Sequence, residues 1–229
     1  MVYVVIVHAK IMIKSVSLPE ITPKGTNRTS MKDRYKSLLL STGRDGAEQV
    51  FTNLEKIGFF EAPASTRFHL ANKGGLLEHS LNVCDMALML RDQMLARDPS
   101  LDKAIPESSV ILCALLHDVC KAEVYKEGTR NVKNETTGRW ETVPTFNVDY
   151  SRFPIGHGEK SVIRLMAWGL NLNMDEMLAI RWHMGAWELP FQSYEAMGNL
   201  TAARDKTPLV TLIQCADQLA TGIVETAGE

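Results

Sequence analysis

The stretch Val110-Ile111-Leu112-Cys113-Ala114-Leu115-Leu116-His117-Asp118 decides the fold. Its unbroken apolar run holds no Gly or Pro and is far shorter than the roughly 18 residues a membrane span requires. A helix that is hydrophobic all round is buried at the centre of a domain. This one ends in an imidazole and a carboxylate, where unpaired helix carbonyls favour a nearby cation. Such an element needs further helices around it and a reason to bury the polar pair.

Outward from that stretch, apolar residues recur at three- and four-residue steps from Asp33 onward. The spacing predicts helices over 33–41, 45–57, 75–97, 107–120, 157–170, 174–185 and 207–225. Asn173 followed by Glu176 has the pattern of a capping box, and Thr207-Pro208 sets a cap before proline at the first helical position. Between Glu123 and Phe153 the period changes. Val124-Tyr125, Trp140, Val143, Phe146 and Val148 alternate with polar residues around the turn-rich Asn134 to Gly138, which predicts an inserted β-hairpin. The expected fold class is all-α, a mostly helical bundle with a small β-hairpin near 124–150. Residues 1–30 differ, with a β-type run at Val2 to Val7 and a Pro-, Thr- and Lys-containing stretch from Pro19 to Ser30. They are expected to be a poorly structured or extended segment, with Met31 as a candidate natural start, ahead of a single domain over 31–229.

A chain of 229 residues fits one large domain or one domain with appendages. Its 45% apolar and 23% charged residues suit a globular protein, and its net charge of -2 argues against gripping long nucleic acid over a wide surface. A small phosphorylated substrate held by local cations remains compatible. The four cysteines form no C-x-x-C pair, and Cys113 and Cys215 lie in apolar helical runs, where they read as small buried hydrophobes. A reducing, cytoplasmic setting is expected. Met1 to Val7 has neither a basic stretch before it nor a small-residue cleavage site after it, so a signal peptide is not expected.

His79, Val83, Met86 and Leu90 share one helix face, and so do Val210, Ile213, Asp217, Ala220 and Val224. An isolated carboxylate in that second stripe costs several kcal/mol unless a cation or hydrogen bonds compensate. Taken singly, each residue has an ordinary reading, a hydrogen-bonded core histidine or an aspartate paired with arginine. Three buried polar sites on three helices together point to one shared partner, and a divalent metal satisfies all of them.

The segments Gly74-Gly75-Leu76-Leu77-Glu78-His79-Ser80, Leu115-Leu116-His117-Asp118-Val119-Cys120-Lys121 and Ala216-Asp217 resemble, in that order, the H…HD…D signature of the HD-domain phosphohydrolase superfamily. The resemblance covers roughly residues 45–225. It implies a helical HD-type domain, a divalent metal held by His79, His117, Asp118 and Asp217, and hydrolysis of phosphate mono- or diesters in a nucleotide-like substrate. Mn²⁺, Fe²⁺, Co²⁺, Ni²⁺ and Zn²⁺ suit such ligands about equally. Members with two ions carry further histidines before the last aspartate. His157 and His183 stand in that order, either as ligands of a second ion or as phosphate and leaving-group contacts. Asp118 is expected to bind metal and orient the attacking water, and the resemblance makes Lys121 a phosphate contact. Lys160, after glycine near a helix start, is a second candidate for an anion contact, and the ordinary reading of either lysine is a solvated helix-end cation. His69 and Arg67 are candidates for the edge of the site, and no role is expected of His8. The hairpin aromatics Trp140 and Phe146, with Tyr150, either cover the pocket or merely close the fold. Two other functions remain open: a 3'-5' nuclease trimming RNA or single-stranded DNA ends, and a metal-binding sensory module without turnover. No membrane partner is expected.

Overall fold

In the computed structural model, which describes residues 27–151, 153–190 and 192–226, the chain runs through α1 (Arg28–Ser41), α2 (Ala47–Lys56), α3 (Gly75–Arg97) and α4 (Glu107–Leu116). It continues through the single turn α5 (Lys121–Val124), the hairpin β1 (Tyr125–Lys133) and β2 (Trp140–Val148), and then α6 (His157–Ala167) and α7 (Met174–Arg181). It ends with α8 (Tyr194–Lys206), α9 (Pro208–Leu219) and a π-helical turn, Ala220–Val224. As its apolar run requires, α4 is the central element, buried from Ser109 to Leu116 and packed against α1, α3, α7 and α9. Leu76, Leu77 and Leu81 of α3 and Val210 and Ile213 of α9 are fully buried in the same core.

Polar bonds fix the helices at the ends of α4. The Tyr35 hydroxyl donates to the Leu115 carbonyl at 2.9 Å, tying α1 to the turn that leads into His117. At the other end, Glu176 accepts from Arg44 and from Ser109 Oγ while closing the capping box with Asn173 at 2.9 Å in both directions. Those donors satisfy the buried carboxylate without a metal. The entry to α3 is equally constrained. Gly74 has φ of 86°, and a Cβ on Gly75 would lie 2.0 Å from the Leu70 carbonyl oxygen, so the Gly-Gly pair is what lets the chain turn tightly into His79's helix.

The hairpin pairs Tyr125 with Val148 through to Lys133 with Trp140, and its turn contains Gly138 with φ of 69°. It lies within the predicted 123–153 insertion. Several expectations need correction. The 107–120 helix stops at Leu116, and α1 begins at Arg28, capped by the Asn27 side chain, so Arg28 to Ser30 are helical. Residues 1–26, with Val2 to Val7, His8 and Pro19, lie outside the described residues. The helix α8 was absent from the sequence reading because only Leu200 and Ala203 are buried along it, too few to make a stripe. Cys215 is exposed. It lies two residues, about 200°, past Ile213, which carries it off the buried face of α9. Among the described residues, no helix is long and apolar enough to cross a membrane.

Candidate metal centre

Helix ends deliver the polar residues to one place. His117 and Asp118 follow directly from the buried end of α4, His79 lies one turn into α3, and Asp217 lies on the inward face of α9. His157 opens α6 and His183 follows α7. The last two meet because Gly158 lets α6 approach the end of α7: a Cβ there would lie 2.2 Å from the Arg181 carbonyl oxygen.

His79 Nε2 is 3.3 Å from His117 Nε2, 3.4 Å from Asp118 Oδ2 and 3.4 Å from Asp217 Oδ1. His117 Nε2 is 3.3 Å from Asp118 Oδ2. The second carboxylate oxygen faces the other way: Asp118 Oδ1 is 2.6 Å from His157 Nε2 and 3.4 Å from His183 Nε2. Asp118 therefore divides its two oxygens between two donor groups, one with His79 and His117, the other with His157 and His183. A third grouping of His117, His183 and Asp217 overlaps both.

The outer ring nitrogens settle which way each imidazole faces. His117 Nδ1 donates to the Ala114 carbonyl at 2.8 Å, and His183 Nδ1 donates to the Ile180 carbonyl at 2.7 Å. A carbonyl only accepts, so each ring, when neutral, carries its proton on Nδ1 and aims an Nε2 lone pair inward. His79 Nδ1 meets Glu225 Oε1 at 2.9 Å, and His157 Nδ1 meets Cys120 Sγ at 3.2 Å. All four Nε2 atoms face the two aspartates.

This arrangement attracts positive charge. Burial would raise Asp118, but the Lys121 charge, with the His117 and His157 rings beside it, holds it well below the usual carboxylate range. Asp217 is likewise held down against burial by His79. Burial would lower His79, yet its hydrogen bonds to Asp118, Asp217 and Glu225 raise it well above its ordinary value. His157 is raised to about 10 against burial by Cys120 and Asp118. Burial lowers His117. A divalent cation and these protons compete for the same nitrogens.

Three observations fit a metal to these residues. His183 Nε2 is fully enclosed and has no hydrogen-bond partner among the described residues, which is costly for a core histidine and ordinary for a ligand. The donors are imidazole nitrogens and carboxylate oxygens, the set that suits first-row divalent ions. Donors about 2.1 Å from a shared ion stand roughly 3.0–3.4 Å apart, and four of the separations around His79 and His117 match.

Of the remaining candidates, Lys121 is brought in, its Nζ 2.5 Å from Asp118 Oδ2. Lys160 is buried beneath the Tyr150 ring, 5.4 Å from its centroid, in a cavity of about 140 Å³ that His157, Tyr125 and Cys120 also line. The His69 ring lies tilted against that of His79, centroids 5.0 Å apart. Arg67 is exposed and lies over the Phe68 ring. Trp140 is exposed at the outer end of the hairpin, opposite Lys133, so of the three aromatics Tyr150 alone lines the cavity beside His157. Glu225 and Cys120 escaped the sequence reading. Glu225 stands in no motif and Cys120 fills a variable place between Asp118 and Lys121, and each meets the outer nitrogen of a histidine.

A family model described as the HD domain matches residues 76–222, a span that runs from the start of α3 past Asp217. No curated protein and no solved structure matches the chain.

Proposed function

The chain belongs to the HD-domain family, and on that premise we propose that it is a metal-dependent phosphohydrolase acting on a nucleotide-like phosphate ester. The observation that carries the reading is the convergence of four inward Nε2 atoms on the two oxygens of one buried carboxylate, with Asp217 beside it. His79, His117, Asp118 and Asp217 would hold a first divalent ion, and Asp118, His157 and His183 a second. When bound, such ions supply Lewis acidity, easing deprotonation of water near neutral pH and offsetting charge that develops on phosphoryl oxygens.

The chain's own residues supply the rest. Asp118, with an oxygen in each donor group, orients a water between them. Lys121 presents a buried ammonium at Asp118 Oδ2, where it neutralises a phosphoryl oxygen as charge builds. Lys160 lies beyond His157 with the Tyr150 ring as its neighbour and no ion pair among the described residues, which suits a further anionic group of the substrate. The small cavity beside it, of about 140 Å³, favours a small phosphorylated molecule over a long strand.

The test is a panel of nucleoside monophosphates, cyclic dinucleotides and short RNA, assayed with Mn²⁺, Co²⁺, Ni²⁺ or Zn²⁺ added. Turnover of at least one nucleotide, abolished by chelation and by Asp118→Ala, is expected. Hydrolysis unaffected by both would remove this centre from the reaction, and preference for RNA ends would favour a nuclease. Metal-binding protein without turnover on any member of the panel would favour a sensory module.

A further inference from the structure

The structure assigns a positioning role to Glu225: its carboxylate, backed by His69, orients and polarises His79 from behind and so sets how tightly the centre holds its metal. The inference rests on the metal reading of the site but concerns residues outside its ligand set.

The geometry begins with the end of the last helix. Beyond Asp217 the chain leaves α-helical geometry for a π-helical turn, Ala220–Val224, closed by the Glu225 amide donating to the Ala220 carbonyl at 2.9 Å. At 100° per residue, Glu225 would stand eight steps, about 80°, off the direction of Asp217. One extra residue in the turn reduces this to an effective seven steps, about 20° from that direction. Val224, which an uninterrupted helix would place on the inward face, is only half-buried, while the Glu225 side chain is fully enclosed. Single π turns in helices are frequent at functional sites.

Inside, Glu225 Oε1 accepts from His79 Nδ1 at 2.9 Å and from Asn82 Nδ2 at 3.2 Å, both from α3. Its other oxygen, Oε2, is buried and unbonded among the described residues, and so is His69 Nε2. The two face each other at 3.8 Å. His69 is held there firmly. Ser65 Oγ donates to the His69 carbonyl at 2.7 Å, and Leu70, the next residue, keeps a φ of 43° that side chains rarely adopt. A strained loop that places one unbonded imidazole nitrogen opposite one unbonded carboxylate oxygen, both behind a metal-facing histidine, is built for more than packing.

The chemistry follows from the partner of each ring. His117 and His183 donate their outer proton to neutral carbonyls, whereas His79 donates to a carboxylate. A carboxylate acceptor fixes the tautomer, pins the ring and makes the inner nitrogen a stronger donor, and losing such a partner costs about 10–100-fold in metal affinity. The ligand whose Nε2 touches His117, Asp118 and Asp217 together is therefore the one held most firmly.

The experiment is chelator competition with Co²⁺, read by affinity and visible absorption, on the wild type and on Glu225→Ala, Glu225→Met and Glu225→Gln, with melting of each metal-free protein. Ala and Met, which lack an acceptor, are expected to bind about 10–100-fold more weakly. Gln keeps an acceptor oxygen and should recover most of that loss, with a shifted cobalt band because its amide is uncharged. A folded Ala or Met variant with wild-type affinity and spectrum would overturn the inference, as would a Gln variant no tighter than either. If neither Ala nor Met folds, a Gln band superimposable on the wild type has the same force. Wild-type protein that binds no cobalt would instead remove the metal reading itself, so the two failures are distinct.

Discussion

At the residue scale, the two lysines near the centre should separate kinetically. Lys121 contacts the carboxylate shared by both donor groups, while Lys160 lies one helical turn beyond His157 and meets an aromatic ring. Loss of a charge-assisted contact made to the substrate in ground and transition state alike raises KM, whereas loss of one made only as charge develops lowers kcat. Lys121→Met should therefore lower kcat by roughly 10–100-fold, and Lys160→Met should raise KM by a similar factor with kcat little changed. Lys160→Met should also melt no lower than the wild type, because it removes a buried ammonium with no anionic partner among the described residues. Steady-state kinetics and melting curves check both. This scale also shows what was legible in the sequence. His79 and Asp217 announced themselves as polar residues in apolar stripes, and the structure brings them together with His117 and Asp118. Glu225 gave no such signal, because the π turn changes the period just before it, whereas an unbroken helical period continues the stripe at Val224 instead.

At the element scale, the second donor group depends on how closely α6 approaches α7. Gly158 touches the Arg181 carbonyl, so any side chain there must push α6 outward and carry His157 away from His183 and Asp118. Gly158→Ala should cost about 1–3 kcal/mol through overpacking and reduce bound metal by one ion, leaving the group around His79 intact. Elemental analysis alongside denaturant unfolding measures both, and an unchanged ion count would place the second ion elsewhere. The elements themselves were legible where apolar periodicity was strong. The α3 boundaries agree with those predicted, and so does the capping box of α7. Helix α8 was silent because its contact with the core is two small patches, and the exposure of Cys215 follows from a face assignment that composition of a run does not reveal.

At the scale of the whole molecule, the centre joins α3, α4, α6 and α9, so metal binding is linked to folding. An ion that binds only the folded chain, at a thousandfold excess over its Kd, adds about 4 kcal/mol. With roughly 2–4 °C per kcal/mol for a chain of this size, saturating metal should raise Tm by about 8–16 °C over chelated protein. The increment must also depend on pH. In the metal-free protein, His157 is raised to about 10 and His79 is raised as well, while unfolded imidazoles titrate near ~6.5. Between those values the folded chain binds more protons than the unfolded one, so this contribution is complete below ~6.5 and fades as pH rises through about 10. Asp118 and Asp217, held below the usual range, contribute above ~3.9, and that contribution is lost as pH falls below it. Metal displaces the histidine protons, so its binding strengthens over the same rise that weakens the metal-free protein. Calorimetry from pH 6.5 to 9 should therefore show chelated protein melting progressively lower while the metal-induced increment widens. An increment independent of pH would mean that the ion is not bound through His79 and His157, whatever its effect on stability.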